Sequence, residues 1–152
     1  MKFLSAALVC VCLLPPVVSF AEGAPARATA LKPTKISAAD AAGPILNSAR
    51  AVKESSGPDG PSSEVVMLKS RDRKFTAGIY SAGPSDYAVD AYEEDEFMFF
   101  LEGSVTLTSA DGSVLQVVAG EGAAIPKGWK GRWTTSGYRK YFVTYESGRK
   151  AK

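Results

Sequence analysis

Residues 90–103 read DAYEEDEFMFFLEG, and the reading of this stretch decides the fold. Four consecutive acids, Glu93, Glu94, Asp95 and Glu96, run straight into Phe97-Met98-Phe99-Phe100-Leu101. Acids normally stay in water and phenylalanine-rich runs leave it, so a boundary between solvent and core must fall close to residue 96. Phe97–Leu101 is too short for a buried helix and is aromatic enough for a strand. In a strand, alternate residues share a face. If Glu96 points inward, Met98 and Phe100 follow it, while Phe97, Phe99 and Leu101 point outward. That outward row is too apolar to stay wet, so the N-terminal arm or a second subunit is expected to cover it.

Downstream, Gly103 is read as ending the strand and opening a turn. From Glu64 onward the chain has the same texture. EVVMLKS, KFTAGIYS, SVTLTSA, SVLQVVAG and RKYFVTYE are short β-branched or aromatic runs separated by turn residues, the spacing of an all-β sandwich or barrel. Asp111-Gly112 is a favoured two-residue hairpin turn. That turn would put Val105, Leu107, Val114, Gln116 and Val118 on one face, the better core candidate, and Thr106, Thr108, Leu115 and Val117 on the other. No segment sustains a helical period.

Upstream the texture differs. Lys2, the apolar run FLSAALVCVCLL and the small residues Ser19 and Ala21 form a secretory signal-peptide pattern, residues 1–21, with cleavage expected after Ala21. The run is too short to span a bilayer and is followed by Pro15-Pro16, so no stable membrane insertion is expected after cleavage. Cys10 and Cys12 both lie in that leader, which leaves the mature chain without a disulfide or a thiolate. Residues 22–63 are rich in Ala, Gly, Pro and Ser and are expected to form a flexible arm, ordered only where Ile36 and Ile45-Leu46 pack on the domain. The domain is expected over residues 64–147, with a tail at 148–152.

Losing the leader from the 152-residue chain leaves 131 residues, one ordinary domain, and with Lys2 gone 17 basic residues face 16 acidic ones. Such a balance gives no reason to expect nucleic acid as a partner. The chain has no histidine. That excludes a Ser-His-Asp triad, an imidazole base and any histidine-ligated metal.

Two spaced patterns organise the middle. Glu96 is followed after six residues by Gly103, and Gly120, Pro126 and Gly128 stand in GEGAAIPKGWKG as G-x5-P-x-G. With these two motifs in order and a hairpin between them, the chain resembles the cupin superfamily. Within it, the chain is similar over about residues 64–145, most clearly in 92–143, to the family of (S)-ureidoglycine aminohydrolases and ethanolamine-utilisation cupins. The resemblance implies a single double-stranded β-helix, a jelly-roll barrel with its site in the cup between the sheets. Metal-binding cupins carry two histidines and a glutamate in the first motif and a histidine in the second. Carried over, these positions hold Asp90, Tyr92, Glu96 and Gly131, so only Asp90 and Glu96 remain as candidates for a weak oxygen-ligated metal, and no cofactor is expected.

From position 131 the alternation predicts Trp133 and Thr135 inward, with Trp129 at the rim. The expected ligand-binding set is therefore Asp90, Tyr92, Glu96, Met98, Gln116, Trp129 and Trp133, with Tyr80 a further candidate. A buried Glu96 beside aromatics would have a raised pKa unless a cation or donor meets it; Lys127, Lys130, Arg132, Arg139 and Lys140 are the cations available. Three functions compete. One is an exported, periplasmic or secreted protein whose metal-free cup binds a small polar molecule. Another is a hydrolase or lyase on a ureido or carbohydrate-like compound, with Glu96 as general acid/base and Tyr92 assisting. The third is a dimeric scaffold whose cup is plugged by Trp133 and Met98.

Overall fold

The computed structural model describes residues 31–58 and 60–148, and all the elements below lie in a compact unit that begins at Pro33. The leader and the tail beyond Gly148 lie outside the described residues. Eight strands form the fold: β1 (Val52–Glu54), β2 (Ser62–Lys69), β3 (Phe75–Ala82), β4 (Ser85–Val89), β5 (Asp95–Ser109), β6 (Val114–Val118), β7 (Gly122–Ile125) and β8 (Gly131–Tyr145). All are paired antiparallel, in the order β1-β2-β3-β8-β5-β6, with β4 added to β8 and β7 to β5. This is the all-β cupin jelly roll that the sequence implied.

The two 15-residue strands, β5 and β8, are the spine. They pair from Asp95–Tyr145 at one end to Ser109–Gly131 at the other. Each serves two neighbours in turn, β5 holding β7 and then β6, β8 holding β4 and then β3. Gly103 therefore does not end a strand, as its sequence context suggested. It lies within β5 at φ +73°, and a Cβ there would stand 2.0 Å from the Gly137 carbonyl oxygen. Gly137, at φ +121°, is the matching position on β8. Two glycines in left-handed backbone let both strands bend at one place without breaking the ladder.

Two register shifts accompany the bend. On β5, Phe100 faces Lys140 but Glu102 faces Arg139; on β8, Ser104 faces Gly137 but Thr106 faces Thr134. Each extra residue reverses which parity points inward. Glu96, Met98 and Phe100 are buried on one side of the bend and Val105 and Leu107 on the other. Likewise Trp133 and Thr135 are buried before the shift on β8, and Tyr138, Lys140 and Phe142 after it.

The β5–β6 hairpin corrects an expectation. Its loop is three residues long, Ala110-Asp111-Gly112, closed by the Gly112 amide donating to the Ser109 carbonyl (2.8 Å) and the Ser109 amide donating to the Ser113 carbonyl (2.8 Å). Gly112 takes φ +85°, the left-handed position of a three-residue hairpin. The register consequently moves by one from that of a two-residue turn, pairing Val105 with Val117 and Thr106 with Gln116. Val117 enters the core in place of Val114 and Val118, which are exposed.

The N-terminal stretch packs on the outer face of the sheet. Ser37 and Asp40 form a reciprocal capping box on the short helix α1 (Ala38–Ala41), and Gly43-Pro44 turns the chain into a 3-10 turn, Pro44–Asn47. Ala41, Ile45 and Leu46 then bury against Val65 and Ile79, with Ile36 and Leu101 beside them. Each of Ile45 and Leu46 contributes roughly 1.5–3 kcal/mol by burial. The expected anchors, Ile36 and Ile45-Leu46, are thus in place, and Leu101 of the outward row is covered by them. Phe97 and Phe99 remain 53% and 38% exposed.

Candidate functional site

The inner face of the barrel is apolar at the bend and polar at one end. Met98, Phe100, Val105, Leu107, Val117 and Trp133 fill the middle. Toward the other end of β5 and β8 a cavity of about 180 Å³ opens, walled by Tyr80, Tyr87, Tyr92, Trp133 and Tyr138, with Glu64, Glu96 and Lys140 among its polar lining. For scale, a cavity of roughly 150 Å³ holds a benzene molecule.

Glu96 answers the question its sequence position raised. It is 8% exposed, and its Oε1 accepts from the Lys140 ammonium at 2.7 Å. Its Oε2 accepts from the Tyr92 hydroxyl. Among the cations expected to compete for it, Lys127 pairs with Glu146, Arg132 with Asp86 and Arg139 with Glu102, while Lys130 is exposed. Lys140 is itself 5% exposed, and its ammonium lies 5.4–5.6 Å from the ring centroids of Tyr80, Trp133 and Tyr138. Those rings add cation–π attraction to the ion pair.

The Tyr92 phenol is held far above its ordinary pKa, first by burial and then by the charge of Glu96 and the hydrogen bond to it. It therefore stays protonated and donates. Glu64, half-buried on β2, has its carboxyl raised by burial first and by the charge of Glu54 second, against smaller opposing effects of Lys140 and Lys69. Trp133, 1% exposed, lies nearly parallel to Tyr87 (18°) and to Tyr92 (9°), with centroid separations of 6.3 and 6.4 Å. Its indole Nε1 is buried with no hydrogen-bond partner among the described residues.

Of the residues singled out from the sequence, Tyr92, Glu96, Trp133 and Tyr80 line the cavity. Met98 is fully buried beside it, its sulfur 3.9 Å from the Lys140 ammonium. Trp129 is not part of the lining: it stands edge-on to Tyr92 and donates from Nε1 to Ser109 Oγ at 3.1 Å. Two placements are corrected. Gln116 is exposed, because the three-residue hairpin loop turned β6 over. Asp90 is exposed and outside the cavity, one residue beyond the end of β4, where the alternation no longer applies. Tyr138 and Phe142 were missed, and Lys140 stood unranked among five candidate cations, because the register shift near Gly137 reverses the parity counted from Trp133. Glu64 and Tyr87 come from β2 and β4, and no motif spacing links them to Glu96.

Metal-binding cupins imply a divalent cation here, and these residues do not fit one. Both oxygens of Glu96 are engaged, one by an ammonium and one by a phenol that keeps its proton. Gly131 has no room for a ligand: a Cβ would stand 2.3 Å from the Thr108 carbonyl oxygen and 2.6 Å from the Trp129 ring. Among the described residues, no three His, Cys, Asp or Glu side chains converge. Lys140 instead supplies the positive charge that Glu96 requires.

Residues 69–142 match the family model described as the EutQ-like cupin domain. Among solved structures, a protein of unknown function of the DUF861 family from Pseudomonas syringae pv. tomato superposes with a TM-score of 0.57 at 20% identity, covering 62% of this chain and 43% of that one. A protein of unknown function from Rhizobium leguminosarum gives 0.52 at 22% identity, covering 76% of this chain and 98% of that one. The Clostridium difficile EutQ protein gives 0.49 at 20% identity, covering 59% and 66% respectively. No curated protein matches the chain. The paired motifs, the spine of two bent strands and the matched domain lead to one conclusion: residues 69–142 are a cupin domain of the EutQ-like type.

Proposed function

We propose that the chain is an exported binding protein whose metal-free cup takes up a small polar molecule. One observation carries this reading: the cup is hollow. Its aromatic walls enclose about 180 Å³ around the Glu96–Lys140 pair, where a barrel serving only as a scaffold would be filled by side chains. The aromatic rings offer contact area, and Glu64 and Thr144 offer polar contacts that fix an orientation. Catalysis by Glu96 is less well supported. A general base needs a free oxygen within reach of substrate, and each oxygen of Glu96 already accepts a hydrogen bond. Export rests on the leader pattern at residues 1–21, which supports a periplasmic or secreted protein. We further propose that a second copy covers the exposed Phe97 and Phe99.

The test is a thermal-shift screen of amines, ureides and small sugars against the wild type and Thr144→Trp, which fills the mouth of the cup. A ligand of the folded state raises the midpoint of the wild type and leaves the filled variant unchanged. Equal shifts in both proteins, or no shift with any compound, would overturn the reading.

A further inference from the structure

We infer that the molecule taken up is a small organic cation, its ammonium held by Glu64 against the rings of Tyr87 and Tyr92; this rests on the cup being a binding site. The argument begins outside the cavity. A second hollow, of about 500 Å³, shares Glu64, Tyr87, Tyr92, Glu96 and Thr144 with the first and forms its mouth. Glu93 and Glu94 line this mouth together with Glu64, and among the described residues no lysine or arginine lines it. Among the described residues that line the cavity the one cation, Lys140, is neutralised by Glu96 at 2.7 Å. An incoming anion would pass three carboxylates to reach an ammonium already paired. An incoming cation meets attraction at every step.

Glu64 marks where that cation stops. It is half-buried at the junction of the two hollows, and among the described residues no lysine or arginine forms an ion pair with it. A partly buried carboxylate with no ion-pair contact is costly, and an ammonium from solution would relieve that cost. Tyr87 and Tyr92 line both hollows, so their rings border the same junction. A carboxylate beside aromatic faces is the chemistry that holds alkylammonium groups. The protein already uses that chemistry once, at Lys140, whose ammonium is set among Tyr80, Trp133 and Tyr138.

The experiment titrates the full chain by calorimetry with n-propylammonium, tetramethylammonium, the neutral isostere tert-butanol and the anion propionate. Both cations should bind, at least about tenfold more tightly than tert-butanol, and propionate should not. Glu64→Gln keeps the shape and removes the charge. It should weaken the cations about tenfold and leave tert-butanol unchanged. Tyr87→Leu should weaken tetramethylammonium more than tert-butanol, because only the cation uses the ring face. Thermal midpoints of both variants confirm that they fold. Binding of propionate or tert-butanol at least as tight as that of the cations would overturn the cationic assignment while leaving the cup a binding site. Cation binding that Glu64→Gln does not weaken would overturn the placement. If no probe binds and the broad screen also fails, both readings fall together.

Discussion

Lys140 sits opposite Phe100 in the β5–β8 ladder, yet its ammonium reaches back past Met98 to Glu96, two inward rungs away. Its unbranched four-carbon stem spans that diagonal. The stem buries along the aromatic floor, and the charge finds its counter-charge at the polar end of the cup.

Removing one member of this pair should therefore cost more than removing both. Lys140→Met leaves Glu96 buried without its cation and should lower stability by about 3–5 kcal/mol. The double variant Lys140→Met with Glu96→Gln should recover most of that loss, measured by chemical denaturation. Equal losses in the single and double variants would mean that the pair is not coupled.

Reinstating the family's imidazole should fail. Gly131→His must push a Cβ against the Thr108 carbonyl and displace the Trp129 ring, an overpacking cost of about 1–3 kcal/mol or more. Manganese or zinc should not raise the melting midpoint of this variant. A metal-dependent rise of several degrees would show that the site can still be completed.

The raised carboxyl of Glu64 makes a prediction with a definite sign. Its folded pKa lies above the ordinary value, so the folded state binds the proton more tightly than the unfolded chain does. The stability this gives is present in acid and is lost as pH rises through the folded pKa. Glu64→Gln, which cannot ionise, should match the wild type near pH 4 and exceed it at pH 7. The groups acting on Glu64 are Glu54, Lys140, Lys69 and Glu96, of which the two lysines oppose the effect. Solvent on its open side keeps the gain small, on the order of 1–3 °C. A wild type more stable than the variant at pH 7 would reverse the assignment.

Phe97, Phe99 and Tyr145 together expose an apolar row on the outer face of β5 and β8. If a second copy covers it, sedimentation should give a dimer at micromolar concentration, and Phe97→Asp should convert it to a monomer with an unchanged circular dichroism spectrum. A monomeric wild type would remove the dimer from the account.

The alternation around residue 96 was enough to orient the middle of the barrel. Glu96, Met98 and Phe100 point inward because strand geometry allows only two faces and the row containing Phe100 is the one that is buried. Trp133 and the anchoring of Ile45 and Leu46 were legible for the same reason: apolar side chains seek burial wherever the backbone lets them. The absence of histidine excluded imidazole chemistry without any coordinates. Lys140, Glu64 and Tyr87 were decided only by the tertiary structure. Parity is a local rule, and the extra residue that β8 carries between Thr134 and Gly137 reversed it before the strand reached Lys140. The hairpin shows the same physics at smaller scale, where one more loop residue exposed Gln116 and buried Val117. A strand's own sequence specifies that it has two faces; its partner's register decides which one looks into the cup.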